Sequence, residues 1–570
     1  MSGPKRSSRT APFAATILAE ARARIDAAGD PGIFIALADR APELPEHDEH
    51  HTPLWGVPFA IKDNIDLAGT PTTAACPAYA YTPSESAPAV QRLIAAGAVP
   101  VGKTNMDQFA TGLTGTRTPY PIPRNAVAPD FIPGGSSSGS AVAVARGLVP
   151  FALGTDTAGS GRVPAAMNGV VGLKPTKGAV STRGVIPACR TLDTVSVFAR
   201  SVGEAWTVYA AMAAFDPADP FARPIALGHP GATPPKVRIG VPASGQRVFH
   251  GDEAAAAAFE AHVCRLRTFA EVVEIDVSAF LRVGEMLYGG PWLAERVAAF
   301  GSFVARNPDA VHPMTRKVLE AASGLTAAAT FEAMYTLADL RRRSEAVWPL
   351  VEALAMPTVP TAPTVAAVLA DPIRRNAQLS IYTNFVNLLD LCALAVPGEP
   401  RHDGVPAGIT FIAPAGRDAA IASLGMAFLG ERTSGAVLPY GTVPLVVVGA
   451  HMSGLPLNNQ LLDAGASFVA ATKTAPLYRL YALPSGPPHR PGMVRVDPVR
   501  GAAIAVEVWA MPLAGFGAFV AGVPSPLSIG TVHLADGSTA QGFLAEGEAT
   551  GAARDITALG GWRAYLAERP

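Results

Sequence analysis

Residues 133–162 read PGGSSSGSAVAVARGLVPFALGTDTAGSGR, an apolar stretch bracketed by two Gly/Ser loops. Ser136, Ser137 and Ser138 follow a glycine pair, and Ser160 sits in a second glycine-bordered turn 24 positions after Ser136. Neither loop suits the interior of a helix or strand. Glycine surrenders too much backbone freedom there, and serine competes for the backbone hydrogen bonds. Between the loops, GSAVAVARGLVPFALGTDT reads as a helix followed by an apolar strand. The same alternation precedes it. PLWGVPFAIKDNID gives a short apolar strand ending in Lys62-Asp63-Asn64, and SAPAVQRLIAAGAVPVGKT gives an amphipathic helix, a turn at Gly97 and another strand. Apolar strands separated by helices of about 10–15 residues specify an α/β domain whose central sheet is covered by helices on both faces.

At 570 residues the chain exceeds one compact core, so two or more domains are expected. Residues 250–350, rich in Ala, Glu, Arg and Leu, read as helical, and ALAMPTVPTAPT reads as a further buried strand ending in a Pro-rich loop. After the helix DAAIASLGMAFLGERT the character changes at SGAVLPYGTVP, a Gly/Pro-rich connector. Strand patterns follow in PLVVVGAH, LYRLYALP, MVRVD and AAIAVEVWAMP, and GTVHLADGSTAQGFL places Asp536-Gly537 as a hairpin turn. A boundary is therefore expected near residue 440, with an α/β domain over 1–440 and a small, mostly β domain over 441–570.

Hydrophobic residues make up 49% of the chain and charged ones 16%, which suits a large, well-buried soluble protein. A net charge of −1 provides no basic footprint for nucleic acid. The first residues carry a basic end and a short apolar run. Glu20, Arg22, Arg24 and Asp26 follow at once and predict an amphipathic helix, not a signal peptide. Residues 508–527 hold no charge, but Pro512, Pro524, Pro526 and three glycines argue against a membrane span and for a pair of buried strands. Cys76, Cys189, Cys264 and Cys392 lie far apart, without metal-ligand spacing, and read as buried thiols of a reducing compartment. A cytoplasmic protein is expected.

A serine hydroxyl is a weak nucleophile that needs a base and donors for the developing oxyanion. TDTAGS can supply Ser160 as nucleophile and the backbone amides of Thr157, Ala158, Gly159 and Ser160 as those donors. The competing reading is a plain Gly/Ser turn or a phosphate nest, although GSSSGS lacks the Lys-Ser/Thr of a P-loop. Asp156 and Arg162, flanking the turn, read as a charge pair or an amide-holding carboxylate. Farther on, YGGPWLAERVAAF sets Tyr288 and Arg296 eight positions apart. If the segment stays helical past its glycine pair, they fall near one another and can grip a carboxylate; otherwise Arg296 is a surface residue.

With GVPFAIKDNID, GKTNMDQFA, PGGSSSGSAVAVARG, GTDTAGSGRVPAAMNGVVGLKPTKG and LDTVSVFARSV in this order, residues 10–430 resemble the amidase signature hydrolases. The resemblance implies a Ser–cisSer–Lys catalytic set: Lys62 as base, Ser136 as bridging serine after a cis peptide bond, and Ser160 as nucleophile. The run SSSGS stands where many members have SSGGS, which leaves Ser137 as the alternative to Ser136. A lysine works as a base only when neutral, so Lys62 must be buried, and the end of an apolar strand is placed for that. The motifs YGGPWLAER, VVVGAHMSGLPLN, TKTAPLYRLYAL, RPGMVRV, EVWAMPLAGFGAFV, PLSIGTV and DITALGGWRAYL extend the likeness, over nearly the whole chain, to the two-domain allophanate hydrolase branch. That branch implies allophanate, H₂N–CO–NH–COO⁻, as substrate. Its first domain releases ammonia, and its second, resembling small γ-glutamylcyclotransferase-like barrels, assists decarboxylation of the N-carboxycarbamate left behind. His451, beside the glycine turn that ends VVVGAHMSG, is the candidate acid/base or anion-binding residue there, against the plainer reading of a structural histidine. The resemblance implies no cofactor and no metal, a homodimer, and an allophanate supplier in a separate urea carboxylase or triazine-degradation enzymes. The rival readings are a general amidase with a structural C-terminal domain, and a component of a tRNA-dependent amidotransferase.

Overall fold

The computed structural model describes residues 10–46, 48, 52–431, 438–439, 441–484 and 486–568. Its largest element is an 11-stranded sheet. The strands are β1 (Phe34–Leu37), β2 (Pro58–Lys62), β3 (Val99–Thr104), β4 (Phe151–Asp156), β5 (Val171–Lys174), β6 (Thr194–Ala199), β7 (Arg238–Pro242), β8 (Glu271–Ile275), β9 (Ala353–Pro357), β10 (Leu391–Pro397) and β11 (Gly408–Pro414). They lie in the order β1-β3-β2-β4-β6-β5-β10-β11-β9-β7-β8. β2 runs parallel to β3 and β4, whereas β4–β6, β6–β5, β5–β10 and β10–β11 are antiparallel, so the sheet is mixed.

Strands β3, β4, β5, β6 and β9 are buried along their whole length, which is why their sequences read as near-continuous apolar runs. The helix Ser138–Ala145 is buried on nearly every side. Its small residues make that possible: a Cβ on Gly139 would lie 2.3 Å from the Ile33 carbonyl oxygen. The helix Thr10–Ala28 buries Ala14, Leu18 and Ala21 on one face, the spacing of an amphipathic surface helix. Residues 250–350 are mostly helical, but EVVEI, with its β-branched run, forms β8 in their midst. Three cysteines are buried, while Cys264 is exposed, contrary to the sequence expectation.

Two compact units divide the chain, one of Met1–Ile225, Gly240–Arg265 and Val273–Ala415, the other of Ala226–Ile239, Leu266–Val272 and Gly416–Pro570. The boundary expected near residue 440 falls beside residues 432–437 and 440, outside the described ones. The second unit contains β12 (Thr442–Val447), β13 (Ser467–Lys473), β14 (Tyr478–Ala482), β15 (Pro491–Arg495), β16 (Ala505–Pro512), β17 (Leu527–His533), β18 (Thr539–Ala545) and β19 (Arg554–Asp555). They form a five-stranded sheet, β13-β16-β12-β18-β17, and a three-stranded one, β15-β14-β19. Leu445, Val447, Tyr478, Trp509, Met511 and Trp562 fill its core. The β17–β18 hairpin turns at Asp536-Gly537, with Leu534 N–H donating to Ser538 O at 2.9 Å. The uncharged segment 508–527 is not a pair of strands. After β16 it forms the helix Leu513–Ala521, with Phe516 and Phe519 packed on the core at helical spacing and Val523 packed there just past the helix end. No helix among the described residues is long and apolar enough to cross a membrane.

Candidate active site

Lys62 ends β2 with its side chain wholly buried. Its Nζ lies 2.8 Å from Ser136 Oγ and 2.7 Å from Thr155 Oγ1. Burial outweighs the pull of Asp107, Asp193 and Asp156 and lowers its pKa from 10.5 to about 7.

The Gly135–Ser136 peptide bond is cis. Asp107 fixes this loop, its N–H donating to Ser136 O at 3.0 Å and its carboxylate accepting from Gly115 and Arg117 amides at 3.0 and 2.8 Å. A Cβ on Gly135 would stand 2.0 Å from Asp107 Oδ2, so glycine is needed there. Lys62 meets Ser136; the Ser137 hydroxyl instead donates to Thr155 O at 3.3 Å.

Ser160 follows β4 in a turn organised by Asp156. The buried Asp156 carboxylate accepts from Gly159 N–H at 2.9 Å, Gly161 N–H at 3.0 Å, and Arg162 Nε and Nη2, both at 2.9 Å. Burial works against its charge, yet Arg162, Lys174 and the Gly161 amide hold its carboxyl below the usual range. Asn387 Nδ2 ties down the Asp156 and Thr157 carbonyls at 2.7 and 3.0 Å. These contacts sort the four expected oxyanion donors. Gly159 N–H is committed to Asp156, while the amides of Thr157, Ala158 and Ser160 donate to nothing among the described residues. A buried ion pair broken on one side is costly, so Arg162→Met should lower unfolding stability by about 3–5 kcal/mol. Denaturant titration measures this, and a loss below about 1 kcal/mol would make the pair incidental.

Tyr288 and Arg296 lie on two helices, Ser278–Gly289 and Trp292–Arg296, because the chain breaks at Gly290. They still meet: Arg296 Nη2 donates to Tyr288 OH at 3.3 Å, with the guanidinium 5.3 Å from the ring centroid. Arg296 is fully buried, its Nη1 donates to Thr111 Oγ1 at 3.0 Å, and its Nε has no partner among the described residues. Tyr288 borders a cavity of about 730 Å³ that Arg117, Asn376, Ser380 and Asn384 also line.

Sequence reasoning missed Arg117 and Asp193. The latter accepts from the Thr157 hydroxyl and from Ala188 N–H at 2.8 Å, and burial raises its pKa to about 6. Its one signal is a carboxylate inside the apolar run LDTVSVFA.

In the second unit, His451 lies just beyond β12. Its Nε2 is 2.9 Å from Gln460 Oε1, Phe543 stacks on the ring at 4.9 Å, and Phe519 meets it edge-on at 5.3 Å. Burial lowers its pKa. It borders a separate cavity of about 340 Å³.

Residues 33–422 match the amidase family. The chain belongs to that family. Residues 443–567 of this amidase match the allophanate hydrolase C-terminal domain. The urea amidolyase of Saccharomyces cerevisiae is 42% identical over 544 residues, covering 90% of this chain but 30% of that protein. The amidase thus spans about 30% of that relative's length. The indoleacetamide hydrolase of Pseudomonas syringae is 38% identical over 257 residues, covering 45% of this chain and 55% of that protein. The structure of Kluyveromyces lactis allophanate hydrolase superposes with a TM-score of 0.75 at 37% identity, covering 97% of this chain and 96% of that one. The amidase is an amidohydrolase.

Proposed function

We propose that this amidase hydrolyses allophanate through an acyl-enzyme on Ser160. The observation that carries the reading is the buried contact of Lys62 Nζ with Ser136 Oγ, 2.8 Å, in a chain of the amidase family. Ser136 relays the Ser160 proton to neutral Lys62 as Oγ attacks the terminal carbonyl. The free amides of Thr157, Ala158 and Ser160 receive the oxyanion. Collapse expels ammonia, with its proton returned from Lys62, and leaves Ser160–O–CO–NH–COO⁻; water then releases N-carboxycarbamate, ⁻OOC–NH–COO⁻. Allophanate as substrate is supported by the whole-length likeness to an allophanate hydrolase and by Arg296, whose guanidinium meets hydroxyls and, among the described residues, no carboxylate. With Tyr288 it would hold the substrate carboxylate. The C-terminal unit, with His451, would speed the next step, in which the C–N bond electrons pass to nitrogen, a proton is taken up there, and carbon dioxide leaves carbamate.

The same reading puts the protein in the cytoplasm as a homodimer, supplied by a separate urea carboxylase or by triazine-degradation enzymes. Ammonia release from allophanate, malonamate, propionamide and glutamine, measured side by side, tests the substrate. Allophanate should be turned over best. Arg296→Ala should raise KM for allophanate at least about 30-fold, since truncating one partner of a buried charged pair costs about 2–5 kcal/mol. KM for propionamide should change far less. Equal losses on charged and neutral amides would favour a general amidase in which Arg296 is structural.

A further inference from the structure

The loop Asp107–Thr111 touches both ends of the candidate site. At its start the Asp107 N–H donates to Ser136 O at 3.0 Å, and at its end the Thr111 hydroxyl accepts from Arg296 Nη1 at 3.0 Å. Between them Phe109 and Ala110 are both left-handed, with φ of 52° and 51°. Residues with a side chain keep that conformation where their surroundings hold them in it. Such contacts are present. The Phe109 N–H donates to Ala74 O at 3.0 Å. The Phe109 ring stacks on Phe300 at 4.5 Å, within the turn Val297–Gly301 that directly follows Arg296. The buried Arg117 closes the loop, its Nη1 donating to Thr111 O at 2.9 Å and its N–H to Asp107 Oδ1 at 2.8 Å.

The chemistry of Thr111 fixes what it can do. Its one hydroxyl proton goes to Phe109 O at 3.0 Å, so towards Arg296 it can only accept, and a guanidinium can only donate. A carboxylate in this place would neutralise Arg296. A hydroxyl orients the guanidinium and leaves its charge uncompensated. With Nη1 held, the Nε–Nη2 edge remains. Nε has no partner among the described residues, and Nη2 donates to Tyr288 OH at 3.3 Å. Arg162 grips the Asp156 carboxylate by the same Nε–Nη2 edge, both bonds at 2.9 Å, which is the bidentate geometry a second carboxylate would use.

We propose that Thr111 is the positioning residue of the carboxylate anchor, turning the Nε–Nη2 edge of Arg296 towards the substrate at a spacing from Ser136 that this loop sets. The inference rests on the reading in which Arg296 takes the substrate carboxylate. It adds that Thr111, acting through Arg296, determines the preference for anionic over neutral amides.

Steady-state kinetics of the full chain on allophanate and propionamide test it. Thr111→Val matches threonine in shape but lacks the hydroxyl, and should raise KM for allophanate about 10-fold with kcat within about threefold of native. KM for propionamide should rise far less, and Thr111→Ser should restore most of the native KM for allophanate. In an Arg296→Ala background Thr111→Val should add less than about twofold, because the group it orients is gone. Thr111→Ala takes the place of valine if that variant does not fold. A loss that persists in the Arg296→Ala background, that falls equally on both amides, or that serine does not recover overturns the inference, since each marks a general disturbance of the loop. The two readings fail separately. Selective loss on allophanate in Arg296→Ala, with none in Thr111→Val, removes the role of Thr111 and leaves the anchor standing. Equal losses on both amides in Arg296→Ala remove both.

Discussion

Ser160→Ala should abolish ammonia release, lowering kcat by about 10⁴- to 10⁶-fold, the scale seen when an activated nucleophile is removed. The fold should survive. The turn that presents Ser160 is held by Asp156, Arg162 and Asn387, and the Ser160 hydroxyl itself hydrogen-bonds to nothing among the described residues. Alanine therefore deletes the attacking atom without unpairing a neighbour, and the unfolding midpoint should move little. Ser136→Ala should also be severely impaired, because it cuts the link to Lys62. Ser137→Ala should remain active, since that hydroxyl faces the Thr155 carbonyl and not the lysine. Mass spectrometry of the protein quenched during turnover should find an acyl adduct in the native chain and none in Ser160→Ala. Substantial turnover by Ser160→Ala with loss in Ser137→Ala would overturn the assignment.

The parts of this site that are legible in the sequence are those written in contiguous residues. Two Gly/Ser loops and a lysine closing an apolar strand announce their local geometry, because glycine pairs, strand burial and turn residues act over a few positions. Thr155, Asp193 and Asn387 do their work across the fold. Asp193 takes the Thr157 hydroxyl from 36 positions away, and Asn387 reaches the Asp156 carbonyl from 231. No local pattern separates such residues from ordinary polar ones at strand ends. The sorting of the oxyanion amides is hidden for a related reason: TDTAGS displays four N–H groups, but which one Asp156 consumes depends on how the turn closes. The helix Leu513–Ala521 escapes the sequence differently. Pro512 and the glycines argue correctly against a membrane span, yet an uncharged run shows no polar face. Only its packed positions Phe516 and Phe519, three apart, show which face meets the core.

Lys62 supplies the second large effect, with opposite signs for rate and stability. Its pKa near 7 means that the rate should rise as pH passes upward through about 7, where the ammonium form gives way to the base. Lys62→Arg keeps the charge and cannot become neutral, so it should be nearly inactive and lack that titration. Lys62→Met should be equally inactive but more stable at neutral pH. The lysine's folded pKa lies below its ordinary 10.5, so between about 7 and 10.5 the unfolded chain binds the proton more tightly than the folded one. The folded state thus loses stability as pH falls through that window, by about 4 kcal/mol at neutral pH. Methionine removes this cost and forfeits the hydrogen bonds to Ser136 and Thr155, worth about 1 kcal/mol each. The net expectation is a gain of about 1–3 kcal/mol at pH 7, shrinking as pH approaches 10. Urea unfolding of both proteins across that range measures it. An inactive Lys62→Met that is also less stable at every pH would show that Lys62 sits there as a comfortable ammonium, and the lysine-base mechanism would fall with it.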